Sequence, residues 1–265
     1  MRNITLSFAY LLVLMLFPCP AFSQLPTEEQ AKQYNQAIRK AGAMVKKRAY
    51  SQALSAFKEA ISVYPFGADA YFSAGNIAFH LNKCREALLY MQGFLALGGD
   101  KTEDAKDAEH AIKACSSKVK AGSLNVSSQP AGIAVFIDGG FVGKTPVTVN
   151  LQAGSYQLLL RDENYEDATE KVHINPEAQS TVEMTLTKKI FYGYLKVKTE
   201  PDEGVKVFVD DKEVGVTPLK EPIRLEAKKV LVRFEREGYD TFVRAVVIQK
   251  DQTVTMEISL EKSEQ

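Results

Sequence analysis

Val135-Phe136-Ile137-Asp138-Gly139-Gly140-Phe141-Val142-Gly143-Lys144-Thr145-Pro146 is answered 72 residues further on (207 minus 135) by Val207-Phe208-Val209-Asp210-Asp211-Lys212-Glu213-Val214-Gly215-Val216-Thr217-Pro218. Branched apolar residues alternate first, at Val135/Ile137 and Val207/Val209, which buries one face of a β-strand. Asp138-Gly139-Gly140 and Asp210-Asp211-Lys212 follow, residue types that reverse a chain. Gly143 and Gly215 permit backbone angles closed to other residues. Thr-Pro then fixes an extended entry into the next strand and removes a backbone donor from a sheet edge. The recurrence of the whole stretch points to a duplicated β-domain.

The correspondence widens in both directions. Leu124-Asn125-Val126 matches Leu195-Lys196-Val197, and Pro130 matches Pro201. Downstream, Leu151 pairs with Leu225, Tyr165 with Tyr239 and Leu186 with Leu260. The offset drifts only from 71 (195 minus 124) to 74 (260 minus 186), so residues 121–188 and 189–262 form two domains. Tyr165 and Tyr239 each follow an Asn or Gly turn residue and read as corner tyrosines, packing a ring and bonding through the hydroxyl. At these positions the chain resembles the PEGA domain, whose hallmark is Pro-x-Gly-Ala, a hydrophobic strand, Asp-Gly and Gly-x-Thr-Pro. The copies here read Pro130-Ala131-Gly132-Ile133 and Pro201-Asp202-Glu203-Gly204-Val205, both departing from the namesake tetrapeptide, the second by one inserted residue. The resemblance implies small antiparallel β-sandwich domains of bacterial surface and envelope proteins, and it implies no catalysis.

Upstream of Gly122 the pattern is helical. Ala49-Tyr50-Ser51-Gln52-Ala53-Leu54 and Lys83-Cys84-Arg85-Glu86-Ala87-Leu88 lie 34 residues apart (87 minus 53), each leading into an amphipathic helix. At the same offset Ala37, Ala41 and Met44 correspond to Tyr71, Gly75 and Ala78, Phe57 and Ala60 to Met91 and Phe94, and Pro65 to Gly99. Small residues let helices approach and large ones fill the grooves between pairs. This resembles the tetratricopeptide repeat, with copies at 34–67 and 68–101, although Lys40 stands where that family favours Leu. Ala31 to Arg48 reads as the first helix. Glu103 to Val119 reads as a terminal capping helix with Thr102 as N-cap, because each repeat buries its apolar face only against a neighbour. Residues 24–120 are thus expected to form a short α-solenoid, making the whole a multidomain α plus β chain.

Two cysteines fall in this array. The helix after Cys84 and the helix holding Cys115 should be antiparallel neighbours joined by a turn at Gly98-Gly99-Asp100. The two cysteines lie about equally far from that turn, so they are expected to meet as a disulfide, the alternative being two buried free thiols. The array offers a groove for an extended peptide or a partner helix. Its candidate residues are polar ones assigned to the first helix of each pair: Arg39, Lys46, Asn76 and Asn82. The amide of Asn76 suits a peptide backbone best.

The first residues point to export. Arg2 is followed by an apolar run from Phe8 to Phe17, too short to span a bilayer, then Pro18, Pro20 and Ala21-Phe22-Ser23. Residues 1–23 read as a cleaved secretory signal, with a mature start near Gln24. Cys19 does not sit in a lipoprotein setting, because Phe17 and Pro18 precede it. The periplasm or cell surface follows, with no membrane span in the mature chain.

The formal net charge of the 265 residues is +0, which argues against a nucleic-acid partner. No catalytic set emerges: His80, His110 and His173 stand apart from any nucleophile motif, and no Gly-rich phosphate loop is present. Asp162-Glu163, Glu166-Asp167 and Asp210-Asp211 lack calcium-loop spacing and read as solvated turn acids, so no metal and no cofactor are expected. Ile190-Phe191-Tyr192-Gly193-Tyr194 joins the two β-domains, and Phe191, Tyr192 and Tyr194 either pack there or bind a partner. The chain therefore reads as a non-enzymatic envelope scaffold or adaptor holding a protein partner through its helices. The alternative is a module whose β-domains bind cell-wall glycan.

Overall fold

The computed structural model describes residues 25–264; the expected signal peptide, with Cys19, and the expected mature start at Gln24 lie outside the described residues. Five helices come first: α1 (Glu28–Lys46), α2 (Tyr50–Val63), α3 (Ala68–His80), α4 (Cys84–Ala96) and α5 (Ala105–Val119). Helix α1 begins ahead of the expected Ala31 because Thr27 and Gln30 form a reciprocal capping box, each side chain accepting from the other's backbone N–H. Arg48 and Asn82, 34 positions apart, both take positive φ (57° each) in the tight turns after α1 and α3. The helical period thus extends to the turns as well as the apolar faces. Among the described residues no helix is long and apolar enough to cross a membrane.

Two readings of this segment change. Thr102 does not cap α5; its hydroxyl donates to the Gly99 carbonyl at 2.7 Å in a short 3-10 turn, and Asp104 precedes the helix without a side-chain cap. Asn82 lies beyond the end of α3, in the turn. The disulfide is present: Cys84 opens α4, Cys115 lies near the end of α5, and their Cα atoms are 5.2 Å apart.

The first β-domain contains β1 (Gly122–Gln129), β2 (Ala134–Ile137), β3 (Gly140–Lys144), β4 (Val147–Leu151), β5 (Gly154–Asp162), β6 (Tyr165–Ile174) and β7 (Gln179–Thr185). The second repeats the order with β8 (Tyr192–Glu200), β9 (Lys206–Val209), β10 (Lys212–Val216), β11 (Ile223–Glu226), β12 (Lys229–Glu235), β13 (Phe242–Val247) and β14 (Thr253–Ser259). Each domain has a three-stranded sheet, β4-β1-β7 or β11-β8-β14, and a four-stranded one, β3-β2-β5-β6 or β10-β9-β12-β13. Most pairings are antiparallel, but the first and last strands of each domain run parallel, Leu124 beside Ser180 and Leu195 beside Val254. Alternation buries Leu124, Ile137, Leu158, Leu160 and Ile174 in one core and Leu195, Phe234 and Ile248 in the other.

The motif residues take on defined work. Asp138 and Asp210 adopt φ of 46° and 47°, and each carboxylate accepts a backbone N–H from the neighbouring strand, of Gln157 and Leu231, at 2.9 Å. Thr145 and Thr217 are buried, and their hydroxyls accept from the N–H of Ile133 and Val205 at 3.1 Å. Ser128 and Thr199 spend their single hydroxyl proton on the carbonyls of Pro130 and Pro201. Thr145 must then donate to the Ser128 hydroxyl, at 2.6 Å, whereas in the second copy the same Thr199 proton also points at Thr217 Oγ1, 3.2 Å away. Both copies so clasp the proline loop with the same pair of hydroxyl side chains. The corner tyrosines meet the expectation in part: Tyr239 packs against the second core, bridges join Tyr165 to Lys188 and Tyr239 to Lys262 through the backbone, and neither hydroxyl is hydrogen-bonded among the described residues.

The chain divides into two compact units. The first runs to Arg161 and resumes at Asp167–Thr185; the second holds Asp162–Glu166 and the residues from Leu186 on. The helices and most of the first β-domain therefore form a single unit.

Candidate functional site

What joins the helices to the first β-domain is the most elaborate polar and aromatic constellation among the described residues. It begins at Gly93, where α4 comes so close to β3 that an added Cβ would collide with the Phe141 carbonyl oxygen and stand 2.5 Å from the Tyr71 ring. Tyr71, fully buried on α3, accepts the Phe141 N–H on its hydroxyl at 2.7 Å. Burial pushes the Tyr71 phenol up, against the opposing pull of that N–H. The Tyr90 phenol is also raised by burial, and further by Glu86 and Asp138.

Two α4 side chains continue the joint. Gln92 donates to the Asn150 carbonyl at 2.8 Å and accepts the Asn150 N–H at 2.7 Å, so its amide pairs with β4 as another strand would. Strand β4 is an edge of its sheet, and the helix covers unpaired groups that would otherwise invite aggregation. Arg85 reaches Asp138 Oδ2 at 2.8 Å and the Ser155 carbonyl at 2.9 Å, with its guanidinium 3.8 Å from the centre of the Tyr156 ring. Burial raises the Tyr156 phenol while Arg85 pulls it down. Asp138 is thus a turn residue held on both sides, by its own sheet and by a helix.

An aromatic seam reinforces the joint. Edge-to-face contacts run from Tyr34 to Tyr64, from Tyr64 to Phe66, and from Phe66 to Phe136 and Phe141, with centroids 5.5–6.1 Å apart. Each such pair adds about 0.5–1.5 kcal/mol beyond its buried area. The Tyr34 phenol is pushed up to about 12, chiefly by burial and then by Asp69.

The sequence candidates separate into different settings. Arg39 and Lys46 are exposed on α1, Asn76 is half-buried on α3, and none of their side chains has a hydrogen bond or ion pair among the described residues. The 34-residue period puts Arg39, Gly42 and Lys46 in register with Ser73, Asn76 and His80 (for example 76 minus 42), so these residues lie at matching positions of α1 and α3. Asn82 instead accepts a bond from Lys118 of α5 at 2.9 Å and fastens the capping helix. Phe191, Tyr192 and Tyr194 belong to the second unit. Lys250 sits 4.3 Å above the Phe191 ring and Arg224 3.6 Å above that of Tyr192, while Tyr192 and Tyr194 remain about two-fifths exposed on β8.

At least one acid of each acidic pair makes a contact within the fold. Asp167 takes a bidentate Arg161, Asp162 accepts the Asn164 N–H, and Asp211 meets Arg233. Among the described residues no group of three or more His, Cys, Asp or Glu could hold a metal ion. The residues missed by sequence reasoning are Tyr71, Arg85, Gln92 and Gly93. The signal for Gly93 was present, a glycine inside a helix that gives up about 1 kcal/mol of propensity.

Residues 121–190 and 192–264 each match the family model of the PEGA domain, together more than half of the chain; the match does not extend to the helices. A comparison with curated proteins finds no match. Among solved structures, the Bacillus anthracis TIE protein is similar at 13% identity and a TM-score of 0.33, over 54% of this chain and 34% of that one. The GBS52 minor pilin of the Gram-positive pathogen Streptococcus agalactiae is similar at 11% identity and a TM-score of 0.23, over 54% of this chain and 97% of that one. This chain therefore covers about a third of the length of the TIE protein.

Proposed function

The chain belongs to the PEGA domain family, and on that premise we propose that it is an exported, non-enzymatic scaffold or adaptor of the bacterial envelope that binds a protein partner through its helices. The observation carrying this reading is how unevenly the helical array is used. Helix α4 spends Arg85, Gln92 and Gly93 on the chain's own β-domain, whereas the side chains of Arg39, Lys46 and Asn76 on α1 and α3 have no hydrogen bond or ion pair among the described residues. The 34-residue period, with its matching positive-φ turns at Arg48 and Asn82, supports counting the helices as tetratricopeptide repeats. A disulfide fits an oxidising compartment such as the periplasm or cell surface. The test is quantitative cross-linking in envelope preparations with a photoreactive residue at Asn76. Adducts should form there and be lost in an Arg39→Glu/Lys46→Glu variant; adducts that persist in that variant would remove the α1–α3 face from consideration.

One observation favours a second reading, in which the β-domains hold cell-wall glycan. Tyr192 and Tyr194 stand two residues apart on the outer face of β8, beside Arg224 in β11. Aromatic rings and a guanidinium are groups that hold sugars. Co-sedimentation of the purified chain with cell-wall material should then fall in a Tyr192→Ala/Tyr194→Ala variant and be untouched by the α1 changes.

A further inference from the structure

The two β-domains build the outer face of the three-stranded sheet from different side chains. In β8 the residues pointing away from the core are Tyr192, Tyr194, Lys196 and Lys198, and Arg224 joins them from β11. The first copy places Ser123, Asn125 and Ser127 where the second has Tyr194, Lys196 and Lys198, and Asn150 where it has Arg224; Ser123 pairs with Asn150 as Tyr194 pairs with Arg224. The fold therefore requires neither rings nor charges at these positions. The charges of this face are unevenly spent. Lys198 pairs with Glu257 at 2.8 Å, Glu226 takes Lys228 at 3.3 Å, and the Glu200 carboxylate accepts from the Ser259 hydroxyl at 3.5 Å. Lys196 and Arg224 have no ion pair or side-chain hydrogen bond among the described residues. The Arg224 guanidinium lies 3.6 Å from the centre of the Tyr192 ring, a contact that steadies the group and spends none of its N–H donors. Tyr194, 41% exposed, stands between the two cations: Arg224 faces it from β11, Thr253 faces it from β14, and Lys196 follows two residues on. Asp251 borders the far end of the group, its N–H donating to the Tyr192 carbonyl at 2.9 Å.

We propose that this face of the second β-domain binds an acidic polysaccharide whose sugar rings carry carboxylates; the proposal rests on the glycan reading above and names the charge of that glycan. The exposed ring of Tyr194 takes the flat face of a sugar. Ladder partners lie about 5 Å apart and alternate residues of one strand about 7 Å apart. A carboxylate borne on the stacked sugar itself is then within reach of Arg224 on one side and of Lys196 on the other. A phosphate in the link between two sugars would stand off the ring and away from both. Arg224 can meet the carboxylate through two parallel N–H bonds, and Lys196 adds a point charge. Thr253 and Thr255, outward on β14 opposite Tyr194 and Lys196, supply hydroxyls for the sugar's own.

Calorimetric titration of the purified chain with oligogalacturonate and with its methyl ester compares one sugar with and without its charge. The acid form should bind at least tenfold more tightly, and added salt should erase the difference. Lys196→Asn/Arg224→Asn, whose new residues are those the first copy carries at the same register, should abolish the preference and leave the weaker binding of the ester in place. Tyr194→Ser should weaken both forms at least tenfold. Equal affinity for the two forms, lost in Tyr194→Ser, would overturn the proposal while sparing the glycan reading, whereas binding of neither form would overturn both. Oligothymidylate also offers stacking faces and negative charge, and its binding as tightly as the acid form would overturn the proposal. So would a preference for the acid form that survives in Lys196→Asn/Arg224→Asn.

Discussion

Replacing Gly93 with alanine measures how closely α4 is pressed against the first β-domain. A methyl group there would collide with the Phe141 carbonyl oxygen and stand 2.5 and 2.6 Å from Tyr71 ring atoms. Carbon atoms pack at about 3.5–4.0 Å, so helix and strand must separate by about 1 Å. That retreat takes the two Gln92–Asn150 bonds, now 2.8 and 2.7 Å, and the Phe141–Tyr71 bond, now 2.7 Å, to the limit of hydrogen-bonding range. Three such bonds at about 1 kcal/mol each, or overpacking of about 1–3 kcal/mol if the helix stays, set the gross loss. Alanine returns about 1 kcal/mol of helix propensity, leaving Gly93→Ala less stable by about 2 kcal/mol. Gly42→Ala is the internal control, since nothing lies within 4 Å of a Cβ at that mid-α1 position. It should stabilise by about 0.5–1 kcal/mol. Urea titration followed by far-UV circular dichroism reads the first unit, because all five helices belong to it. If the two substitutions shifted the midpoint in the same direction, the close approach of α4 to β3 would be refuted.

Cys84→Ala/Cys115→Ala, which opens a loop with a sequence separation of 31, should lower stability by about 3–4 kcal/mol in the same titration, and reducing agent should have no further effect on the variant. Thr145→Val and Thr217→Val, close in shape to the parent, each strand a buried N–H (Ile133 or Val205) and should cost about 1–3 kcal/mol in thermal denaturation, whereas Thr148→Val on the exposed face of β4 should cost far less. Above pH 10 the unfolded chain loses phenolic protons that buried Tyr71 and Tyr90 retain, because their folded values are raised. Stability is therefore fully present below pH 10 and declines as pH climbs toward the raised values. Each phenol contributes a slope of about 1.4 kcal/mol per pH unit, and Tyr90→Phe should reduce the measured slope by that amount.

Much of the architecture was legible because it is periodic. The 34-residue helical offset, the recurring Asp-turn-Gly-x-Thr-Pro hairpin and the meeting of Cys84 with Cys115 are consequences of spacing along one chain, and spacing is what a sequence displays directly. The same reading missed the parallel pairing of first and last strands, since alternation marks a strand but does not name its neighbour. It also gave Thr102 a capping role that a nearer carbonyl takes, and put Asn82 in a groove when it fastens α5.

Composition and repeats by themselves determined the kinds of elements, their order and the doubling of the β-domain, because burial patterns and turn residues act over a few positions. Only the tertiary structure decided that Arg85, Gln92 and Gly93 serve a neighbouring domain. Those outcomes join residues 48 to 70 positions apart, such as Gly93 with Phe141 (141 minus 93) and Tyr71 with Phe141. A helix face looks the same in sequence whether its contacts are water or another domain; the difference arises only when the chain closes on itself.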